Sequence, residues 1–279
     1  MKVFAIARDL LREARARRWV LALALGVTGL LLLLGFGLEL EVVDGALAAS
    51  RFLDSGRRHV NQIQAVDVAL RPLFEGLSYM VFYGGSVFAI IACADFAPAL
   101  LAPGRIEHLL ALPVRRAELV LGTFLGVIAL VLLGALYGGL GFSLIIWAKA
   151  GFFDWGPVAA AGFSALGFTA VYAVMVAAAM VARSAALSAG AGAMVLVLGI
   201  VAGQRATLAP LFTPGLSRAV FLGLTSPLPR ISELGRHAAR VANALPLDPG
   251  QVALQAAGTL LFAAAVLAAA VALFDRKDF

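Results

Sequence analysis

Few residues in this chain have the types and spacing that catalysis needs. His59, His108 and His237 lie far apart, in segments interpreted as loops, and the middle of each long apolar run lacks acidic residues. Hydrolysis among apolar side chains needs a nucleophile with a base, a carboxylate pair or a metal ion. Ser164 stands in a Gly-Phe-Ser-Ala-Leu-Gly segment whose second glycine comes one position too late for a nucleophile elbow. We interpret Ser164 as a helix-packing residue.

Nucleotide hydrolysis and metal binding by this chain are also disfavoured. A phosphate-binding loop of the form G-x-x-x-x-G-K-[ST] places a lysine directly after a glycine. The only lysines are Lys2, Lys149 and Lys277, and none follows such a loop. The single cysteine, Cys93, excludes an internal disulfide and any CxxC pair. The five methionines and three histidines form no cluster of metal ligands, so we expect no cofactor on this chain.

The composition shows which environment must position these residues. Of 279 residues, 62% are hydrophobic and 14% charged, with a mean hydropathy of +0.97, far from the average of a soluble domain. The apolar residues gather into runs of the length that crosses a bilayer, about 20 residues. We predict an all-α membrane protein with a single domain, 1–279, and six transmembrane helices, at about 19–38, 73–94, 119–147, 158–182, 184–203 and 251–274. The net charge of +6 comes with no basic patch interleaved with aromatics, so no nucleic-acid partner is expected.

The distribution of positive charge predicts the orientation. With both termini in the cytoplasm, the inner segments hold 12 Lys and Arg in 48 residues and the outer segments hold 10 in 91. This enrichment agrees with the rule that cytoplasmic loops carry the excess of Lys and Arg. Residues 1–18 alternate basic and apolar positions at helical spacing, which predicts an amphipathic helix on the membrane surface. The outer segments should form a small helical cap at 39–72 and capping or re-entrant helices within 204–250.

The absence of titratable groups deep in the spans separates two kinds of transporter. A carrier coupled to protons or sodium uses Asp, Glu or His inside the bilayer, whereas Asp95, Glu118 and Arg183 all fall at span ends. The energy for transport should therefore come from another chain. A stand-alone channel or secondary transporter is the alternative, and an intramembrane enzyme is less favoured.

Glycines recur at four-residue spacing inside the spans. The pairs are Gly122 with Gly126, Gly134 with Gly138, and Gly199 with Gly203. Such pairs let helix backbones approach closely in lipid. The pattern predicts packing within a bundle or at a dimer seam without deciding between them.

The loop between the second and third spans carries the most specific pattern. Pro103 and Gly104 interrupt the chain, Arg105 to Leu112 can form about two helical turns, and Pro113 ends them. Apolar and polar side chains divide this helix, with Ile106, Leu109 and Leu110 on one edge and Arg105, Glu107 and His108 on the other. A helix this short is unstable alone. It must dock on the membrane domain, on a partner, or on both; alternatively it lies in the lipid interface, with Arg115 and Arg116 as topology anchors.

The same loop resembles the signature of ABC-2 type transporter permeases. The residues that carry the resemblance are Gly104, Leu109, Leu110, Pro113, Val114, Arg116, Leu121 and Gly122. The basic start, the six spans and the ending Phe274-Asp275-Arg276-Lys277-Asp278 fit the same layout. The sequence departs from the family pattern at Asp95, nine positions before Gly104, at Arg105 and at Thr123. The layout also resembles the permease of copper-enzyme maturation, but without copper ligands.

The resemblance implies a division of labour between chains. Two permease chains, identical or different, would form the membrane part of an exporter in the cell (inner) membrane. They would pair with separate cytoplasmic ABC ATPase subunits, which bind ATP and Mg. The helix at 105–112 would be the coupling helix seated on the ATPase, braced by the helix at 1–18. The residues expected to contact the ATPase subunit are Gly104, Arg105, Ile106, Glu107, His108, Leu109, Leu110, Pro113, Arg115 and Arg116.

Overall fold

The structure, a computed structural model, describes residues 2–16, 18–43, 46–52, 58–65, 71–111 and 113–277. Most of them are helical. The helices are α1 (Lys2–Ala16), α2 (Arg18–Gly37), α3 (Arg71–Tyr79), α4 (Gly85–Cys93), α5 (Phe96–Leu100), α6 (Arg105–Ala111), α7 (Arg116–Ala150), α8 (Gly156–Ala182), α9 (Ala185–Gly203), α10 (Arg205–Leu208), α11 (Leu216–Thr225), α12 (Ile231–Ala242) and α13 (Pro249–Asp275). A π-helical turn, Met80–Gly84, joins α3 to α4, and a 3₁₀ turn, Ala209–Leu211, follows α10.

Within the described residues, five helical segments are long and apolar enough to cross a membrane. They are Phe74–Leu100, Arg116–Ala150, Gly156–Ala182, Ala185–Gly203 and Pro249–Asp275. Each contains or closely matches one predicted span, which confirms a helical multi-pass membrane protein. At 1.5 Å per residue, the 35-residue α7 is about 52 Å long. It therefore extends beyond a hydrocarbon core of about 30 Å.

Helix α2 occupies the position of the first predicted span. It runs from Arg18 to Gly37 over 20 residues. The side chains of α2 are described continuously over Ala24–Gly37, a stretch shorter than the five segments above. The total of six spans accordingly remains a prediction.

The outer segment after α2 corrects the sequence interpretation. Instead of a helical cap, it contains three antiparallel strands, β1 (Leu38–Val43), β2 (Ala46–Phe52) and β3 (Arg58–Ala65), in the order β1-β2-β3. Glu41 pairs with Ala49, and the register shifts directly after Glu41. The sequence Leu-Glu-Leu-Glu-Val-Val alternates at the two-residue period of a strand. The fold is thus helical apart from this small sheet.

The core of the protein lies along α8. This helix packs against α7, α9, α12 and α13, and Phe168, Tyr172 and Met175 are fully buried on it. Alanines fill much of the remaining interface, so neighbouring helices approach closely. Pro157 in the first turn and Arg183 in the left-handed conformation, φ 51°, bound the helix. The turn from α8 to α9 is tight, and the Ser184 hydroxyl caps α9.

Two of the predicted glycine pairs are contact sites within the chain. Gly122 and Gly126 on α7 lie directly beneath α1, against Ile6 and Leu10. Gly199 and Gly203 on α9 lie against Ile231 and Ser232 at the start of α12. Both pairs therefore seat an amphipathic helix on a span of the same chain.

Candidate coupling surface

The predicted short helix between the second and third spans is present as α6. Gly104 precedes it with φ +79°, a left-handed conformation that suits glycine. The His108 amide donates to the Gly104 carbonyl oxygen at 3.2 Å, so the glycine begins the first turn. The helix is assigned through Ala111, and Leu112, its predicted last residue, lies outside the described residues. Pro113 follows in a non-helical conformation and ends it, as the sequence predicts.

One residue anchors α6 to the membrane domain. The Ile106 side chain is 2% exposed and belongs to the same buried cluster as Leu10, Ala97 and Leu101. Leu109 is half-buried. The side chain of Leu110 lies outside the part of the structure that is described. The apolar edge of α6 therefore docks on this chain at Ile106, which satisfies one of the two docking modes expected from the sequence.

An ion pair joins α6 to the N-terminal helix. The Arg105 guanidinium donates from Nη1 to Glu13 Oε1 at 3.0 Å and from Nη2 to Glu13 Oε2 at 2.6 Å. This two-bond geometry holds both side chains in one orientation. The hydrogen bond to Glu13 raises the pKa of Arg105. Lys2 Nζ also donates to the Pro113 carbonyl oxygen, so both ends of α1 contact the loop around α6.

The two adjacent arginines have different environments. Arg115 is exposed, and its backbone N–H donates to Glu118 Oε2 at 2.8 Å, which caps the start of α7. Arg116 is half-buried, and its Nη1 donates to the carbonyl oxygens of Phe274 at 2.8 Å and Lys277 at 2.7 Å. A cation suits the negative end of a helix dipole. Arg116 therefore joins the start of α7 to the end of α13.

The remaining side chains of α6 face outward. Glu107 and His108 are exposed, as are the Gly104 backbone and Pro113. The predicted contact residues thus divide into two groups. Ile106 and Arg116 hold the surface on the membrane domain and Arg105 holds it on α1, whereas Glu107, His108 and Arg115 are available to a partner. We call the surface formed by α1, α6 and Pro113–Arg116 the coupling surface.

Two side chains that make contacts in or beside this surface cannot be identified from the sequence. The sequence indicates no role for Glu13, because its partner Arg105 is 92 positions away. Lys277 near the C-terminus donates from Nζ to the Val181 carbonyl oxygen at 3.4 Å, which joins the ends of α13 and α8. In the sequence, the only indication of these contacts is the basic character of the segments. It shows that charge is present but not which residues pair.

Comparison with known families decides what this architecture is. Residues 4–279, nearly the whole chain, match the family profile described as ABC-2 family transporter protein. The chain belongs to the ABC-2 family of transporter proteins. It is thus a membrane component of a transporter, as the resemblance implied. No curated protein matches the chain significantly.

The histidines and Ser164 of this ABC-2 transporter protein show no arrangement for catalysis or metal binding in the described residues. His237 is 5% exposed on α12, and among the described residues neither of its ring nitrogens has a hydrogen-bond partner. Its position on a helix corrects the interpretation that it lies in a loop; His108 is on α6 and His59 on β3. Ser164 donates to the Ala160 carbonyl oxygen of its own helix at 3.4 Å. No group of three or more metal-ligating side chains occurs in the described residues.

Proposed function

We propose that this chain is the permease subunit of an ATP-driven ABC-2 exporter, energised by a separate cytoplasmic ATPase subunit. The ATPase subunit holds ATP and Mg. The permease has six spans in the cell (inner) membrane, both termini are cytoplasmic, and a second permease chain, identical or different, completes the pathway. The single domain spans residues 1–279.

The arrangement of α6 carries the proposal. A helix of seven residues is held on the domain by Ile106 and by the Arg105–Glu13 pair, yet it exposes Glu107 and His108. A helix whose only role was to close a loop would not need two separate attachments and an exposed polar side. This geometry supports α6 as a rigid element that receives force from a soluble partner.

The charge around this surface supports a cytoplasmic location. Lys2, Arg105, Arg115 and Arg116 all lie in α1, in α6 or at the start of α7, and Arg116 contacts the end of α13. Positive charge close to span ends favours the cytoplasmic side. The ends of α8 and α13 meet through Lys277, so both would lie on that side as well.

A route for force follows from the contacts. Closure of the ATPase subunits on ATP binding would press on α6. The Arg105–Glu13 pair would pass the displacement to α1, which rests on α7 at Gly122 and Gly126. Because α7 is one rigid helix of 35 residues, a displacement at its start would reach the opposite side of the membrane.

A site-specific crosslink tests the proposal. A cysteine in place of His108, in a Cys93→Ala background, carries a photoactivatable thiol reagent in native membranes. We expect crosslinking to a partner that contains a G-x-x-x-x-G-K-[ST] loop. Ser226→Cys is the matched control, because Ser226 is also exposed but lies in the segment after α11 that we place on the outer side.

The alternative is a stand-alone channel or secondary transporter. Crosslinking at position 108 only to lipid, or only to proteins without a nucleotide-binding loop, would favour it and overturn the ATP-driven proposal. Crosslinking of the ATPase equally from position 226 would also contradict it, since α6 would then have no special role.

A further inference from the structure

A second feature of the fold lies inside the membrane region, away from the coupling surface. A cavity of about 390 Å³ is lined by α2, by the helix formed by α3, the π-helical turn and α4, and by α7 and α8. Helix α2 packs along α7, whereas α4 packs mainly against α8 and α9 and has a smaller contact with α7. The cavity is the space left between α2 and α4 on this surface.

Aromatic side chains lie at both ends of this cavity. At one end, Leu34, Phe74 and Phe142 form a buried cluster, with the Phe74 and Phe142 rings edge to face at 5.4 Å. At the other end, Phe96 lines the cavity and is 5% exposed. In the described residues α2 packs along α7 and α1 but not closely along α3 or α4, so a ligand can reach this space sideways, between α2 and the α3–α4 helix.

The lining offers almost no polar group to a ligand. None of the described residues that line the cavity is charged. The Ser86 hydroxyl donates to the Phe82 carbonyl oxygen at 2.6 Å, and the Ser164 hydroxyl donates to Ala160 in the same way. These hydroxyls are satisfied by their own helices. Ser78 contributes the remaining hydroxyl of the described lining. A cavity with so few polar groups favours apolar molecules over water.

Glycines in the cavity wall leave space that side chains could fill. Gly26, Gly84 and Gly85 line the cavity, and a Cβ atom at any of them would meet nothing within 4 Å. Larger side chains would fit there without a clash. The π-helical turn Met80–Gly84 lies in the same wall, and π-helical turns inside α-helices are frequent at functional sites.

We propose that this cavity binds one hydrocarbon chain of a membrane phospholipid, which enters from the bilayer between α2 and the α3–α4 helix. A cavity of about 150 Å³ accommodates one benzene ring. By the same ratio, 390 Å³ accommodates about fifteen carbon atoms, the size of one acyl chain.

Labelling from the lipid tests the proposal in native membranes that contain the full chain. The probe is phosphatidylethanolamine with a diazirine at the middle of one acyl chain, and the labelled peptides are mapped by mass spectrometry. We expect labels on the inner walls of α2, α4 and α7. The double variant Gly26→Leu with Gly85→Leu fills the space and should reduce this labelling at least fivefold.

A matched control lies one turn away. Gly29 is on the same helix as Gly26 and is equally open, but it does not line the cavity. Gly29→Leu should leave the labelling unchanged. Thermal unfolding of each variant identifies loss of fold, and the single variant Gly85→Leu provides a second, milder test.

Three results would overturn the proposal. One is equal labelling in the filled and control variants. Another is labelling confined to outward-facing side chains such as Leu25 and Leu32. The third is a disulfide-linked dimer formed by Gly26→Cys in a Cys93→Ala background, which would place a second copy at the entrance. Labelling requires neither ATP nor an ATPase subunit, so its failure leaves the proposed function intact. Failure of the proposed function would likewise leave the lipid-binding proposal intact.

Discussion

At the scale of single residues, the ion pair between Arg105 and Glu13 defines the position of α6. The side chains are 42% and 29% exposed, so solvent screens the attraction. Exposed pairs typically contribute less than 1 kcal/mol to stability. The main contribution of this pair is therefore to orientation and not to stability. Its two parallel hydrogen bonds fix the direction in which α6 and α1 face each other.

A double-mutant cycle measures this pair. Glu13→Gln, Arg105→Gln and the double variant should give a coupling energy of about 0.5–1 kcal/mol, measured by thermal unfolding in detergent. Arg15→Gln, an exposed position on the same helix, replaces Glu13→Gln in a control cycle and should give a coupling close to zero. Equal values in the two cycles would mean that the pair does not form.

At the scale of elements, the N-terminal helix is positioned by glycines. An ideal Cβ at Gly122 would lie 2.6 Å from Ile6 Cβ and 3.0 Å from the Val3 carbonyl oxygen. The first of these is a distance that packed Cβ atoms do not reach. Helix α1 approaches α7 this closely only because residue 122 has no side chain. The amphipathic pattern of the sequence predicts that α1 forms. That α1 packs on α7 depends on the missing side chain at Gly122.

Replacement of Gly122 by leucine should displace α1. Overpacking of this kind typically costs 1–3 kcal/mol. In a Cys93→Ala background, a cysteine at the buried position Leu10 should react with maleimide several times faster when Gly122→Leu is present. Gly162→Leu is the control, because a side chain there meets nothing within 4 Å. Unchanged reactivity in the Gly122 variant would show that α1 is not seated at this glycine.

At the scale of the whole molecule, two basic side chains gather the helix ends at the coupling surface. Arg116 joins α7 to the end of α13, and Lys277 joins α13 to the end of α8. Arg116 also lies with its guanidinium carbon 5.5 Å from the centre of the Phe274 ring. Spans that are far apart in sequence therefore meet in one contact region.

The neighbouring arginines provide a matched test of this connection. Arg116→Leu removes a charged donor from three carbonyl oxygens and should lower the free energy of unfolding by about 2–3 kcal/mol. Arg115→Leu should have an effect below about 0.5 kcal/mol, since Arg115 uses its backbone N–H, which remains. Thermal unfolding of the two variants side by side checks the difference, and similar losses would contradict it.

The amino-acid sequence by itself determined the class of the protein, the places of the long apolar helices and the short helix before Pro113. These features depend on local composition and on the positions of glycine and proline. Each is determined by residues that are close to it in the sequence. The alternation at 38–43 held a similar local signal for β1, although the polar composition of the segment suggested a helical cap. Only the tertiary structure decided that Arg105 pairs with Glu13 and Arg116 with the end of α13, contacts that span 92 and 158 positions. It also decided that a cavity lies beside Gly26 and Gly85. Such contacts and cavities depend on which helix faces pack together, and many pairings of faces are compatible with the same apolar spans.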